Sequence, residues 1–440
     1  MKLRIKRKEH GRFYCLMAIL LLLICSRYVL QINVPRVLSL AVIALIAVCG
    51  TQTEMIAIMM CLIPLHEMID FYYSMTVILF VYILKYYQKI RINLSIILVM
   101  VMAFWELLHN LTSDIEPVSL LSAFIPMVLL SLLMSADIRE LDYAFVVNSM
   151  AVTTICVCIT MLGQVLAWSN FNVVEAIGNL RRLGAVSEEA SKSAIEGGTV
   201  HPNSLGVICV LVTTGLLQIK TVGKNNRWSI PMVVAMLVFG ALTSSRTFVA
   251  CLLFMVVLFF FGIRGNVLRK LRFLGAVLLI GALALILLNS FFPDLLQYYI
   301  DRFFVKDITT GRDDLMIKYH AFIVENNPVM LFGVGVQNFG EKLVNGYRVA
   351  RNVPHNSIQE IIVAWGIPGF LMFSLLCVTP IIYSYRYNKK RNVLNYIPLL
   401  VIIFKSMAGQ ILTSGYSLLA LSYAYLSLTQ DFCRTEEQTP

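Results

Sequence analysis

Long apolar stretches recur from the beginning to the end of this chain, and they constrain its fold more than any other feature. A helix of roughly 18 or more apolar residues crosses the ~30 Å hydrocarbon core of a bilayer and satisfies its own backbone polar groups there. Such runs lie at 13–33, 37–50, 53–65, 71–87, 92–109, 118–134, 143–168, 200–219, 229–243, 246–263, 273–292, 357–385, 393–411 and 415–431. They predict an all-α fold, a polytopic membrane helix bundle of about 12–14 transmembrane helices.

The composition is that of a chain which lies mostly in lipid. Of its 440 residues, 58% are hydrophobic and 14% are charged, and the mean hydropathy is +0.77. No soluble domain, low-complexity linker or internal repeat interrupts the runs, so residues 1–440 are predicted to form a single integral membrane domain. The first run follows a basic N-terminus, but Cys25-Ser26-Arg27-Tyr28 offers no small-residue cleavage site. We therefore interpret it as an uncleaved span.

The distribution of lysine and arginine predicts the orientation of the spans. Cytoplasmic loops carry an excess of these residues, and a cytoplasmic N-terminus puts every strongly basic short loop on the cytoplasmic side. Both termini then lie in the cytoplasm, whereas two longer loops, 169–199 and 293–356, lie outside it. The net charge of +11 follows from this topology and gives no indication of nucleic-acid binding. We expect a multi-pass protein of the cytoplasmic membrane with an extracytoplasmic active site.

Several kinds of site have no motif in this sequence. Nine of the ten cysteines lie in the apolar runs and neither long loop contains one, so no disulfide framework and no thiolate metal site is predicted. The chain also lacks a P-loop, a DxD motif, a GxSxG elbow and an HExxH zinc motif. We expect the protein to use no cofactor and no metal.

The loop 293–356 has a pattern that predicts local structure. Thr310-Gly311-Arg312-Asp313 fits a capping box, which predicts that a helix begins there. Apolar residues between 315 and 323 recur at helical spacing, so one face should pack on the bundle, and Asn326-Asn327-Pro328 should end the helix. Three glycines follow: Gly333, Gly335 and Gly340. The loop is therefore expected to be folded.

Two arginines are candidates for binding an anion at the outer face. Arg246 follows Thr243-Ser244-Ser245 at the outer end of a span, where the topology gives no reason for a cation. Arg312 would lie in the first turn of the loop helix, where free backbone N–H groups favour anions. Two guanidinium groups suit a diphosphate, because each can bind phosphate oxygens bidentately. The structural alternatives, a snorkelling cation at 246 and a solvated arginine at 312, stay open.

Two histidine motifs lie where the chain enters the membrane from outside. His355-Asn356 follows Pro354, and His355 is a candidate general base or hydrogen-bond donor to phosphate, beside a purely structural role. His201-Pro202-Asn203 is foremost a helix start, with a polar role for Asn203 as the alternative. Three charged residues are predicted within the outer halves of spans: Arg27, Glu106 and Lys405. Glu106 and Lys405 could pair with each other or line a substrate path.

Four motifs in sequence order resemble the O-antigen polymerase and ligase superfamily. They are Ser244-Ser245-Arg246, Gly311-Arg312, Gly333-Val334-Gly335 with Asn338-Phe339, and His355-Asn356. The resemblance spans roughly residues 200–375, and the first half of the chain shares only its many spans. It implies a GT-C-like fold and a metal-independent glycosyltransferase, which moves a glycan from undecaprenyl diphosphate to an acceptor sugar hydroxyl at the outer face of the membrane.

The resemblance also implies roles for individual residues. Arg246 and Arg312 would bind the diphosphate, and His355 would be catalytic or would orient the acceptor. The general base is left open among His355 and three loop carboxylates: Asp301, Asp313 and Glu341. The remaining candidates for substrate binding are Asn356, Asn203, Arg181, Arg182 and Asn338. The implied partners are the lipid-linked donor and acceptor, the bilayer, a chain-length regulator and a flippase. A spaced Arg-to-Gly pattern found in both outer loops of some polymerases is missing after Arg181, Arg182 and Arg302.

Three functions fit these features to different degrees. A polymerase of repeat units is favoured because polymerases are the larger and more diverse group. A ligase, which transfers the finished chain to a lipid A core sugar, is the alternative. A flippase or transporter would place polar residues near the bilayer midplane in repeated halves, whereas here the polar candidates collect at the outer face.

Overall fold

The fold is described by a computed structural model, which covers residues 10–90, 92–110, 127–128, 132, 141–173, 175–176, 182–184, 200–221, 228–262, 267–291, 293–305, 312–336, 343–344, 347–348, 354–387, 393–412, 415–428 and 430. Some of the predictions lie outside these residues. They are most of the span at 118–134, most of the loop 169–199, and Arg181, Thr310, Gly311, Asn338, Phe339, Gly340 and Glu341.

Each predicted span that falls on described residues coincides with a helix. The helices are α1 Gly11–Tyr28, α2 Arg36–Cys49, α3 Gln52–Leu65, α4 Phe71–Tyr86, α5 Leu94–Asn110, α6 Tyr143–Trp168, α7 Pro202–Thr221, α8 Ser229–Leu242, α9 Arg246–Gly262, α10 Val267–Phe291, α11 Pro293–Ile300, α12 Arg312–Glu325, α13 Asn327–Phe332, α14 Ser357–Tyr387, α15 Ile397–Ser406 and α16 Gly415–Leu428. A π-helical turn, Asp301–Val305, follows α11, and a 3-10 turn, Val393–Tyr396, precedes α15. The strands β1 Leu343–Val344 and β2 Tyr347–Arg348 pair antiparallel. The predicted all-α class is confirmed.

Four of the described helices are long and apolar enough to cross a bilayer. They contain Gly11–Tyr28, Tyr143–Trp168, Pro202–Lys220 and Ser357–Ile382, and several shorter apolar helices accompany them. The shorter helices gain their stability from packing within the bundle, because helices of this length are marginal in isolation. The chain is a polytopic membrane protein.

Helices α3 and α7 lie at the centre of the bundle. Every residue of α3 from Glu54 to Leu65 is buried, as expected for a helix that is apolar around its whole circumference. Helix α3 packs on α6 and α16, and α7 packs on α6, α8 and α9. On α10, by contrast, Leu278, Leu279 and Ile286 are each more than half exposed. In a membrane, those side chains face lipid.

The contacts between helix ends fall into two groups at opposite ends of the bundle. At one end, His10 contacts Glu54 at 2.9 Å, and the Lys85 ammonium donates to the Gly50 carbonyl at the end of α2. At the other end, the Tyr28 hydroxyl donates to the Met68 carbonyl. The first four helices therefore alternate in direction. We call the end that holds residue 68 the outer end, following the predicted topology.

The loop helix predicted after Thr310 is present as α12, and Arg312 is its first residue. Its apolar face packs as predicted, since Tyr319 and Ile323 are buried against Val363 of α14. The helix ends at Glu325, and α13 begins immediately with Pro328 in its first turn. The predicted helix and its end are thus confirmed, and α11, α13 and the strand pair add further structure to the loop.

Helix α14 is kinked near its middle. Gly366 has φ +69° and ψ −174°, a conformation outside the helical region. Pro368 follows two residues later, and a proline cannot donate to the carbonyl four residues before it, which here is that of Ala364. The kink therefore releases backbone carbonyls from the helix.

The glycine-rich segment 333–336, which we call the return segment, binds the released carbonyls. The Val334 amide donates to the Val363 carbonyl, and the Gly335 amide donates to the Ala364 carbonyl, both at 2.8 Å. Gly333, at φ +75° and ψ −172°, lies so close to α14 that a Cβ atom there would stand 2.3 Å from the Ala364 carbonyl oxygen. The return segment therefore joins the outer loop to the bundle through its backbone.

Replacing Gly333 with alanine is expected to destabilise the protein by more than about 2 kcal/mol, because this backbone region is essentially restricted to glycine and the new Cβ atom would clash. Thermal unfolding of the detergent-solubilised protein measures the effect. Gly275→Ala on α10 is the matched control, since a Cβ atom there meets nothing within 4 Å, and it should be neutral or slightly stabilising. A Gly333→Ala protein that unfolds at the wild-type temperature would contradict this account of the return segment.

Candidate functional site

Arg182 is held at the outer end of the bundle by two separate elements. Its Nε donates to the Thr243 carbonyl at 3.0 Å, and its Nη2 donates to Oδ1 of Asn203 at 2.8 Å. The same Asn203 oxygen accepts from the Ser245 hydroxyl at 2.9 Å. The structure thus gives Asn203, predicted as a substrate-binding residue, the task of positioning an arginine. Asn203 is available for this because it lies in the first turn of α7.

The turn between α8 and α9 positions Arg246. Thr243, Ser244 and Ser245 are buried, and Ser244 has φ +47°. The Ser245 hydroxyl accepts from the Phe248 amide at 3.3 Å, which satisfies a free N–H group in the first turn of α9. Arg246, the first residue of α9, donates through Nε and Nη2 to the Arg302 carbonyl, the Nε distance being 3.0 Å. Arg246 therefore links the bundle to the outer loop.

Four arginines form an arginine cluster at this end: Arg182, Arg246, Arg302 and Arg312. Burial lowers the pKa of Arg182 to about 10, and the positive charges of Arg302 and Arg312 act in the same direction. Burial also lowers the pKa of Arg312, and Arg246 and Arg302 contribute to the shift. Arg182 and Arg312 nevertheless remain charged at neutral pH, because a guanidinium group is not deprotonated in proteins. Their mutual repulsion would be relieved by a bound anion.

Arg302 was not among the residues that the sequence predicted for the site. Its Nη1 lies 3.5 Å from the Tyr298 hydroxyl, and its Nε is buried with no hydrogen-bond partner among the described groups. A buried donor of this kind is costly unless a ligand or water satisfies it. Arg302 therefore adds an available N–H group to the cluster.

Two histidines stand beside the arginine cluster. Burial lowers the pKa of His355, and the positive charge of Arg312 is the next contribution. Burial lowers the pKa of His201 as well, with Arg182 as the next contribution. Both imidazoles are consequently neutral at pH 7, since their pKa values lie below the usual value of about 6.5. A neutral imidazole has one donor and one acceptor nitrogen.

Glu67, between α3 and α4, is a further residue that sequence reasoning did not single out. Its Oε2 accepts from the His201 amide at 3.0 Å, and its Oε1 lies 3.1 Å from Nε2 of His66. The only signal in the sequence is an adjacent His66-Glu67 pair on a short outer connection, which is also compatible with an ordinary surface turn. Its proximity to His201 depends on two distant helices packing together.

The remaining predicted residues have varied surroundings. The Asn356 side chain caps α14, accepting from the Ile358 amide at 2.9 Å. Arg312 donates to the Ala408 carbonyl at 3.4 Å. Asp301 accepts from Gln297, and Asp313 is exposed. The Arg27 guanidinium lies over the Tyr28 ring, with 5.4 Å between its carbon and the ring centroid.

The suggested pairing of Glu106 with Lys405 is wrong. The Glu106 carboxylate accepts from the Val336 amide at 2.9 Å and from the Trp365 indole at 2.6 Å. Lys405 donates to the Gln410 carbonyl and to the Ser417 hydroxyl, at 2.5 and 2.8 Å. Each charge thus has nearby polar partners of its own. Among the described residues, no three His, Cys, Asp or Glu side chains are grouped so that they could hold a metal ion.

Most of the arginine cluster, together with His355, lies in a segment that matches a known family model. Residues 231–374 match the family model described as Wzy_C, O-Antigen ligase. The matched segment runs from α8 into α14 and includes Arg246, Arg302, Arg312 and His355. Arg182, His201 and Glu67 precede it. A search of curated proteins found no match to the chain. The Wzy_C match, with the apolar helices that surround it, supports the resemblance of residues 231–374 to the O-antigen polymerase and ligase superfamily.

Proposed function

We propose that this protein polymerises lipid-linked oligosaccharide repeat units. It transfers a glycan from undecaprenyl diphosphate to an acceptor sugar hydroxyl at the outer face of the cytoplasmic membrane, in the synthesis of O-antigen, capsule or exopolysaccharide. The observation that carries the proposal is the arginine cluster, which lies beside His355 at the outer end of the bundle and falls largely within the Wzy_C segment.

The arginine cluster suits a reaction in which diphosphate is the leaving group. As the bond between the anomeric carbon and the diphosphate oxygen breaks, negative charge grows on the phosphate oxygens. Guanidinium groups that are already in position stabilise this charge without reorganisation. Arg246 is fixed by the Arg302 carbonyl and Arg182 by Asn203, so both have defined positions before substrate binds. On this basis we propose that the transfer needs no metal ion.

His355 would orient a substrate at the edge of the arginine cluster. Because its pKa is lowered by burial and by Arg312, it acts as a neutral imidazole. It can donate one hydrogen bond to a phosphate oxygen and accept one from a sugar hydroxyl. Asn356 fixes the start of α14 immediately after it, which limits the freedom of His355.

We propose that a chain-length regulator and a flippase are the protein's partners.

A ligase is the second candidate, because the matching family model is itself described as an O-antigen ligase. The two functions share the lipid-linked donor and differ in the acceptor, which is a second repeat unit for a polymerase and a lipid A core sugar for a ligase. A transporter would instead be expected to bind its substrate near the bilayer midplane, whereas the arginine cluster lies at the helix ends.

Replacing His355 with alanine in cells that make the polysaccharide tests the function and separates the two candidates. A polymerase defect is expected to leave single repeat units on the lipid carrier, whereas a ligase defect would leave finished chains there. The readout is a gel of the extracted lipid-linked glycans. His320→Ala is the control, because His320 is exposed on α12 and its replacement should leave chain length unchanged. Normal long chains in the His355→Ala cells would contradict the proposed role.

A further inference from the structure

Glu67 is a partly exposed carboxylate at the outer end of the bundle, in contact with the His201 amide. We propose that Glu67 is the general base of the transfer and takes the proton of the acceptor hydroxyl, an assignment that rests on the proposed function. Sequence reasoning had left this role open among His355 and three carboxylates of the outer loop. The structure adds a carboxylate from the first half of the chain, outside the Wzy_C segment.

The Glu67 carboxylate is held in place but retains room for a ligand. Its Oε2 accepts from the His201 amide and its Oε1 contacts Nε2 of His66. An ionised carboxylate has about four lone-pair positions, so these two contacts leave acceptor capacity on both oxygens. The Glu67 side chain is 34% exposed and that of His66 is 8% exposed. A hydroxyl can therefore approach Glu67 from the open side.

Hydrogen bonds lead from Glu67 to the edge of the arginine cluster. The His201 amide donates to Glu67, the Asn203 amide donates to Nδ1 of His201, and Arg182 donates to Asn203. The pKa of His201 is lowered first by burial and then by Arg182, and Glu67 opposes that shift. His201 in turn acts on His355. Several charges on described residues shift the pKa values of four groups, which are Arg182, His201, Arg312 and His355. Glu67 is the one carboxylate among those charges. An acceptor hydroxyl at Glu67 would stand beside a donor whose diphosphate lies on the arginines.

Six other described carboxylates have surroundings that suit this role less well. Glu106 and Glu360 are fully buried and accept hydrogen bonds from backbone amides. Asp70 pairs with Arg36, and Asp301 accepts from Gln297. Asp313 and Asp314 are exposed on α12. Partial burial, defined orientation and proximity to the cations occur together at Glu67.

His66 adds a reason for the defined orientation. Its Nδ1 lies 2.8 Å from the Ile63 carbonyl, which can only accept, so Nδ1 carries the hydrogen. The opposite nitrogen, Nε2, lies 3.1 Å from Oε1 of Glu67. His66 is thus a positioning residue that connects the carboxylate to the end of α3.

The transfer forms one carbon–oxygen bond and breaks another. The acceptor oxygen forms a bond to the anomeric carbon of the donor while the bond from that carbon to the diphosphate oxygen breaks. The electron pair of the broken bond leaves with the lipid diphosphate, whose charge the arginine cluster stabilises. The proton of the acceptor hydroxyl passes to the Glu67 carboxylate. No oxidant, reductant or additional reactant is required.

Glu67→Gln is the decisive variant, because the amide oxygen of glutamine can still accept from the His201 amide whereas the side chain can no longer take a proton. With lipid-linked repeat units extracted from cells that lack this protein, we expect kcat to fall about 100-fold, the usual size of a general-base contribution. Binding of the lipid-linked donor should change less than about threefold, because the arginines are intact. The variant's rate should also rise with pH between about 7 and 9, as hydroxide replaces the missing base, while the wild-type rate stays level.

The control is Asp70→Asn, which removes a carboxylate from the same connection but one that pairs with Arg36; it should transfer at the wild-type rate. A Glu67→Gln enzyme with normal kcat, or with a reduced kcat and the wild-type pH profile, overturns the assignment. If the Glu67→Gln protein does not bind donor, the Glu67→Asp variant replaces it. Glu67→Asp should bind donor and transfer about tenfold more slowly than wild type, with a level pH profile. A wild-type rate in Glu67→Asp, or a rate that rises with pH, overturns the assignment. Wild-type protein that transfers nothing contradicts the proposed function itself, whereas active wild type with a fully active Glu67→Gln variant contradicts only the role of Glu67.

Discussion

Replacing Arg246 with alanine is expected to reduce glycan transfer about 1000-fold, the upper range for removing one group that stabilises developing negative charge. Arg246 is the first residue of α9, it is anchored by the Arg302 carbonyl, and its charge acts on Arg312. Its loss therefore removes one cation and also the anchor of the segment that carries Arg302. The measurement is the transfer rate of purified protein with lipid-linked repeat units.

Two further variants separate the charge of Arg246 from its shape and from the general effect of losing an outer cation. Arg246→Lys keeps the charge but lacks the planar fork, so a loss of about tenfold is expected. Arg36→Ala removes an outer-end arginine whose side chain is 41% exposed and which pairs with Asp70; it should transfer within about twofold of wild type, because exposed ion pairs contribute little. An Arg246→Ala protein that is folded and transfers at more than a third of the wild-type rate would show that Arg246 is structural.

Replacing Glu106 with leucine is expected to lower the free energy of unfolding by about 3 kcal/mol or more. Glu106 is completely buried on α5 and accepts from the Val336 amide and the Trp365 indole. It thereby joins α5, the return segment and α14 near the kink. Leucine has a similar size, so the main effect is two buried donors left without their acceptor, each of which costs about 1–3 kcal/mol.

The stability of the Glu106 variants is measured by thermal unfolding of the protein in detergent. Glu106→Gln is the matched variant, because its amide oxygen can still accept from one of the two donors, and it should be affected less than the leucine variant. The order expected is wild type, then glutamine, then leucine. A leucine variant that unfolds at or above the wild-type temperature would mean that these hydrogen bonds do not stabilise the junction of α5 with α14.

The spans of this protein were predictable because the signal is local. An apolar run such as 143–168 needs no knowledge of its neighbours to be assigned as a helix, and α6 has the predicted bounds. The loop helix α12 was predictable for the same reason, since a buried face at helical spacing and a terminating Asn326-Asn327-Pro328 lie within one short segment. In both cases the residues that determine the element are contained in it.

The junction between the outer loop and α14 could not be predicted in this way. Gly366 and Pro368 are visible in the sequence as helix breakers, but the carbonyls they release have partners in the return segment, more than twenty residues earlier. Glu106 illustrates the same limit. Its charge was noted, yet the suggested partner was Lys405, because nothing local indicates that the Val336 amide and the Trp365 indole converge on it.

The site was partly predictable. The sequence singled out Arg246, Arg312 and His355 as candidates because each stands at a recognisable helix start or membrane entry, and because the motifs resemble a known family. Arg302 and Glu67 were missed, since their relevance depends on long-range contacts: the Arg302 carbonyl with Arg246 and the Glu67 carboxylate with the His201 amide. Asn203 was found, and the structure gives it a contact with Arg182 that its place in a helix start did not predict.

The central claim is that the arginine cluster supports transfer of a lipid-diphosphate-linked glycan to a second repeat unit. The most direct test is to incubate the purified protein with lipid-linked repeat units and a metal chelator, with no other acceptor, and to separate the products on a gel. We predict a ladder of chains longer than one repeat, and no ladder with the Arg246→Ala protein. Repeat units that stay unextended until a lipid A core acceptor or a metal ion is added would contradict the account.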